Sequence, residues 1–153
     1  MIKKYALVLS LLIMFSTGLL GIEVGIFAGS VSKPKHNLAG LSVGTGFMVP
    51  MLKLEAEYYK MTNVSLLELP KAISIGVKVR PRFGSLAPYG IVGIGMEFDK
   101  FNFKSSESDK FSFIGGGLHF YITGMVSLRG DVRLLHFKYG NRTRVTGGVF
   151  IHF

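Results

Sequence analysis

From Ile22 onward, apolar and polar residues alternate with a period of two, the spacing at which successive side chains of a β-strand point to opposite faces. Most segments approach the 9 to 11 residues that a tilted strand needs to cross a bilayer. The first, Ile22 to Val31, sets Ile22, Val24, Ile26 and Ala28 against Glu23, Gly25, Phe27 and Gly29. A polar loop, Ser32 to Leu38, leads to a second strand over Ala39 to Met48. Val49-Pro50-Met51 reads as a turn, because proline cannot continue a central ladder. The third strand, Leu52 to Met61, is the most regular, with Leu52, Leu54, Ala56 and Tyr58 on one face and Lys53, Glu55, Glu57 and Tyr59 on the other.

After the loop Thr62 to Pro70, a fourth strand over Lys71 to Arg80 opposes Ile73, Ile75, Val77 and Val79 to Ser74, Gly76, Lys78 and Arg80. Pro81 to Leu86 turns the chain into a fifth, Ala87 to Phe98, with Val92, Ile94, Met96 and Phe98 opposite Gly93, Gly95 and Glu97. Asp99 to Lys110 is the longest polar stretch and reads as a solvated loop. The sixth strand is Phe111 to Ile122; Thr123-Gly124 turns into the seventh, Met125 to Phe137, where Val126, Leu128, Val132 and Leu134 oppose Ser127, Arg129, Asp131 and Arg133. A basic loop, Lys138 to Arg144, leads to the final strand, Val145 to Phe153. Eight strands joined alternately by longer polar loops and short turns predict an all-β fold: an eight-stranded antiparallel up-and-down transmembrane β-barrel, short turns on the periplasmic side and loops outside.

The alternation leaves two ways to orient the faces. With the apolar faces to lipid, the interior collects Glu23, Glu55, Glu57, Glu97 and Asp131 with Lys53, Lys78, Arg80, Arg129 and Arg133, five charges of each sign. The opposite phase puts Arg129 or Arg133 into lipid at about 2 to 4 kcal/mol each near the midplane. The register with charges inside is therefore favoured. A barrel of this size is filled by its own side chains, which predicts a plug of paired charges, with glycines making room for Phe27, Phe113, Phe150 and Tyr121, and no pore. Phe47, Tyr58, Phe98, Phe101, Phe103, Phe137, Tyr139 and Phe153 fall near segment ends, where interfacial aromatic girdles form.

Composition agrees with lipid-facing strands. The 153-residue chain has a mean hydropathy of +0.41, 20 Gly and 13 Phe, but neither Cys nor Trp, which excludes disulfides and cysteine metal sites. Eighteen Lys and Arg against nine Asp and Glu give a formal charge of +9 and an expected anionic partner. Lys3 and Lys4 precede an apolar run from Tyr5 to Leu20 and the small residues Ser16, Gly18 and Gly21. These are the parts of a secretory signal peptide. Residues 1–21 are assigned to it, with cleavage after Gly18 or Gly21, and 22–153 to the barrel. Cleavage lowers the charge to +7.

Ile22 to Gly29, Pro88-Tyr89-Gly90 with Gly93-Ile94-Gly95, Gly115-Gly116-Gly117 and the aromatic terminus Phe153 together resemble the outer-membrane β-barrel domain family, small barrels similar to the membrane domain of OmpA and to opacity-type surface antigens. The resemblance implies residence in the bacterial outer membrane, Phe153 as an assembly signal read by the barrel assembly machinery, and a monomer without cofactor. The sequence departs from the longer OmpA-like proteins in one respect: it ends at the barrel, so their peptidoglycan-binding domain is expected to be absent. Such patterns specify architecture better than activity.

Candidate sites are few. Lys33 and Lys35 in the first loop and Lys138, Arg142 and Arg144 in the last are expected at one rim, placed to meet lipopolysaccharide phosphates. Arg129-Gly130-Asp131 spells an integrin-binding tripeptide but lies mid-strand with both charges inward. Gly90, Gly93 and Gly95 lack the helix and Lys-Ser/Thr of a nucleotide loop. His36, His119, His136 and His152 have no metal-ligand spacing, and Asn63-Val64-Ser65 and Asn141-Arg142-Thr143 are sequons without weight here. The expected role is structural or surface-interacting: a non-porin, non-enzymatic barrel serving envelope integrity or contact with lipopolysaccharide or host, with no nucleic-acid partner. The alternative is a deacylase-like lipid A modifying enzyme, for which His136 faces lipid near the outer end but no serine is adjacent in sequence. A soluble lipocalin-like carrier would need the faces reversed.

Overall fold

The computed structural model describes residues 21–33, 35–47, 49–62, 71–98 and 108–153. These form eight strands: β1 (Ile22–Val31), β2 (His36–Phe47), β3 (Val49–Met61), β4 (Lys71–Val79), β5 (Leu86–Phe98), β6 (Ser108–Tyr121), β7 (Val126–Phe137) and β8 (Gly140–His152). Each pairs antiparallel with the next, and β1 closes on β8 from Glu23↔His152 to Val31↔Arg144. Closure gives every strand two neighbours, which a bilayer demands because no water is present to satisfy an open edge.

The two faces sort as the alternation predicts. Ile26, Ile75, Ile94 and Ile114 are more than half exposed on the outer surface, whereas Glu23, Glu55, Lys78, Arg129 and Arg133 are buried in the lumen. The barrel is therefore inside out relative to a soluble one. Its glycines are space for the plug: a Cβ on Gly25 would lie 2.3 Å from the Phe150 ring, and one on Gly93 2.5 Å from Phe113. No described helix is long and apolar enough to cross a membrane, and the strands do the crossing.

Several boundaries differ from the sequence expectation. β8 starts at Gly140, whose φ of 145° is a conformation glycine adopts readily, so Lys138 and Tyr139 alone make the turn and most of the expected basic loop is strand. β6 starts at Ser108, pairing Asp109 with Glu97 and Lys110 with Met96; polar residues can line both faces of a ladder that rises out of the bilayer. β2 starts at His36. At the other end, β3 already includes Val49 to Met51, with Phe47↔Val49 paired beside a register shift. Pro50 is accommodated because pairing to β4 begins only at Leu52↔Val79, leaving the first residues of β3 at the sheet's rim. The connections at the outer end are not uniformly long: those after β1 and β7 span only 32–35 and 138–139, against 62–70 and 99–107 for the other two.

Phe98 is buried at 7% and not part of an outer girdle, and Phe137 packs against the lumen cluster. Tyr139 and Phe153 are exposed. Residues 1–20, expected to be a signal peptide, Phe101, Phe103, and the sequon at Asn63 lie outside the described residues, as does the side chain of Phe47.

The outward phase of β7 has a direct test. Val132→Arg, at the middle of β7 and 51% exposed on the lipid side, is expected to cost about 2 to 4 kcal/mol, read from denaturant unfolding in lipid vesicles. A cost near zero would contradict a lipid-facing β7.

Candidate functional site

The lumen is held by one connected ion network. Lys78 of β4 bridges Glu23 of β1 and Glu55 of β3, the latter at 2.6 Å, and Arg80 adds a second cation to Glu23. Arg129 of β7 joins Glu55 at 2.7 Å and Glu57 at 2.8 Å. Arg133 reaches Glu55 and Glu57 at 2.8 Å and Asp131 at 2.9 Å. Tyr89 from β5 and Thr146 from β8 donate to Asp131 at 2.8 and 2.6 Å. Cations also lie over rings, Arg129 at 4.0 Å from the Phe150 centroid and Arg133 at 5.1 Å from Phe113. Six strands thus contribute to the network at the barrel axis. Buried charges without partners are expensive, and the pairing removes that cost.

Arg144 is the main revision. Instead of reaching the outer rim it is 1% exposed, with Nη1 2.9 Å from Glu57 and its guanidinium 5.3 Å from the Phe27 ring. Its phase is the inward one of Thr146, Gly148 and Phe150, a signal visible once β8 is extended back to Gly140. Lys53 is half-buried at the short-turn mouth, beside Gly21 and Phe153, and has no carboxylate within ion-pair distance among the described residues. Glu97 pairs with Arg142 at 3.1 Å near the outer rim. Above the ions, Val31, Leu38, Met61, Phe111 and Leu135 form an apolar cap, which extends the inward phase of their strands and which charge-based reading missed.

Two histidines scattered in sequence meet at the barrel end that carries the short turns. His119 Nδ1 lies 3.0 Å from Ser127 Oγ, and Ser127 Oγ lies 2.7 Å from His152 Nε2. His152 Nδ1 is 3.5 Å from Glu23, and His119 Nε2 is 3.3 Å from Arg80. This chain extends the network to the mouth, where a cavity of about 160 Å³ is lined by Lys53, Arg80, Arg82 and His152. The Arg129-Gly130-Asp131 charges stay inside, at 3% exposure each. Gly90, Gly93 and Gly95 are strand positions of β5.

At the outer rim, Lys33, Lys35 and Lys138 are exposed and Arg142 is partly so. The first and last hairpins lock together through Ser32 N–H to Thr143 O at 2.8 Å and Thr143 N–H to Ser32 Oγ at 3.1 Å. A recess of about 440 Å³ beside them is lined by Lys33, Asp109, Tyr139 and Arg142.

No family model and no curated sequence matches the chain. Solved structures do. The N-terminal β-barrel domain of Pseudomonas aeruginosa OprF superposes with a TM-score of 0.73 at 18% identity, covering 87% of this chain and 97% of that one. The fold is that of the eight-stranded outer-membrane barrels. Neisserial surface protein A matches with a TM-score of 0.67 at 12% identity, over 88% of this chain and 97% of its own. The outer membrane enzyme PagL matches with 0.55 at 14%, over 84% and 98%. These identities carry architecture only, and one barrel serves surface proteins and an enzyme alike.

Glu55 touches three cations, so its removal tests the network. Glu55→Gln is expected to destabilise the folded barrel by about 3 to 5 kcal/mol, because Lys78, Arg129 and Arg133 lose a shared partner; the midpoint of urea unfolding in detergent micelles measures it. A loss below about 1 kcal/mol, the worth of an exposed pair, would show that the charges are solvated.

Proposed function

We propose that this protein is a plugged, non-porin component of the outer membrane whose role is structural and surface-contacting, with anionic lipopolysaccharide as its partner at the outer rim. The sealed lumen carries the reading. Ion pairs, rings and the apolar cap occupy the axis, so transport gives way to what the surface presents. Lys33, Lys35, Lys138 and Arg142 gather at the joined first and last hairpins, the level of the outer headgroups. Arg144, buried inside against Glu57, drops out of this set. Secretion under the signal over residues 1–21 and assembly through the strand ending at Phe153 complete the proposed route to the membrane.

A second reading, a lipid-modifying enzyme, has one observation in its favour: His136, on the lipid face near the outer end, has polar partners on both neighbouring strands.

Replacing Lys33, Lys35, Lys138 and Arg142 together by Gln is expected to weaken binding of the micelle-embedded protein to purified lipopolysaccharide, followed by titration calorimetry. The expected loss is at least tenfold, about 1.4 kcal/mol, well within about 1 kcal/mol for each cation near an anionic surface. Raising the salt should erase the difference. Unchanged affinity at low salt would remove the rim as the contact.

A further inference from the structure

On the lipid face of β7, His136 is flanked in the sheet by two polar residues at its own level. Its cross-strand partners are Ser112 of β6 and Asn141 of β8. All three side chains are exposed. Two residues further into the membrane the same face continues as Ile114 on β6 and Leu134 on β7. The row therefore stands at the outer edge of the apolar belt, the headgroup boundary where lipid ester linkages lie. Neither closure of the barrel nor its plug requires a hydroxyl and an imidazole there.

The imidazole is oriented. His136 Nδ1 lies 2.9 Å from Asn141 Oδ1, and because a carbonyl oxygen only accepts, Nδ1 carries the proton and Nε2 is left as the basic nitrogen. The opposite side of the ring faces β6. Directly opposed side chains have Cβ atoms about 4.5 to 5.5 Å apart. Ser112 and His136 are not hydrogen-bonded in this resting geometry, and Ser112 Oγ has no other hydrogen-bond partner among the described residues. A change of Ser112 rotamer brings the hydroxyl toward Nε2, and such contacts commonly close only around substrate.

The row borders a lateral groove of about 740 Å³. Ile73, Ile75, Ile94 and Met96 make its apolar floor, Ser112 and His136 one wall, and Lys110 a cationic end. Lys110 has no carboxylate partner among the described residues. An apolar trough with a free ammonium at its headgroup end matches an acyl chain attached to a phosphorylated headgroup. The buried line of Ser127, His152 and Glu23 is better aligned but sealed, since Ser127 is 0% exposed.

We propose that Ser112, His136 and Asn141 form a hydrolytic site for an ester-linked acyl chain of an anionic outer-leaflet lipid, the chain lying in the groove and the phosphate on Lys110. Ser112 Oγ attacks the ester carbonyl carbon as His136 Nε2 takes its proton. The tetrahedral adduct expels the headgroup alkoxide, which receives that proton, leaving an acyl-serine. Water, deprotonated by His136, attacks the acyl-serine and releases the carboxylic acid with Ser112 restored. The net reaction is ester plus water to alcohol plus acid. Ser112 and His136 are the catalytic residues and Asn141 the positioning residue. This goes beyond the surface-contact role and uses none of the rim cations.

The test uses the full barrel in detergent micelles and a long-chain alkyl fluorophosphonate, which phosphonylates an activated serine with loss of fluoride. The wild-type protein is expected to label and Ser112→Ala not to. His136→Ala should label about a hundredfold or more slowly, the worth of a general base. On p-nitrophenyl dodecanoate, Asn141→Ala should lower kcat with KM unchanged, and Asn141→Asp should restore it with a shifted pH profile. Because the three positions face lipid, the variants keep the folded barrel. Folded wild-type protein that does not label, label that persists in Ser112→Ala, or an unchanged rate in His136→Ala would each overturn the proposal.

Discussion

The constraint on which the structure depends is that an eight-stranded barrel is too narrow to hold water around the charges that its lumen faces carry. Each inward Lys, Arg, Glu and Asp must find a partner across the axis, on a strand far away in sequence. Glu55 meets that demand for Lys78, Arg129 and Arg133 at once, and so ties β3 to β4 and β7. Buried pairs are weak evidence for net stability, since apolar residues of similar volume often do as well. They do make the arrangement specific: shifting a strand by one residue would carry its charges into lipid and its isoleucines into the ion network.

The rest of the interior accommodates these pairs. Gly25 and Gly93 yield their side-chain space to Phe150 and Phe113, whose rings in turn lie against Arg129 and Arg133. The apolar cap of Val31, Leu38, Met61 and Leu135 finishes the outer end. A lumen so filled leaves chemistry to the outer surface. There the first and last hairpins hold basic side chains together, and the lipid face of β6, β7 and β8 breaks its apolar run at Ser112, His136 and Asn141.

Most of the barrel was legible in the sequence because a two-residue period is local and the price of charges in lipid selects one phase. Glu23, Glu55, Lys78, Arg129 and Asp131 lie inside as that argument requires. What was not legible depends on pairing between strands. Arg144 looked like a loop cation because Gly140 concealed an early strand start. Phe98 is buried where the burial alternation of β5 gives way at its outer end, with Glu97 and Phe98 both covered. Ser112 and His136 are 24 positions apart, and only the register of β6 with β7 sets them side by side. The same is true of His119, Ser127 and His152, which periodicity places on the inner face but cannot bring into contact.

The central claim is that the apolar faces meet lipid around a closed, charged interior. Separating the membranes of an expressing strain, then running the outer-membrane fraction on a denaturing gel with and without boiling, tests it most directly. The account predicts a band in that fraction whose mobility changes on heating, since a closed barrel resists detergent until its hydrogen-bonded ladder is melted. A soluble periplasmic band with no heat shift would contradict it and would mean that the apolar faces enclose a cavity.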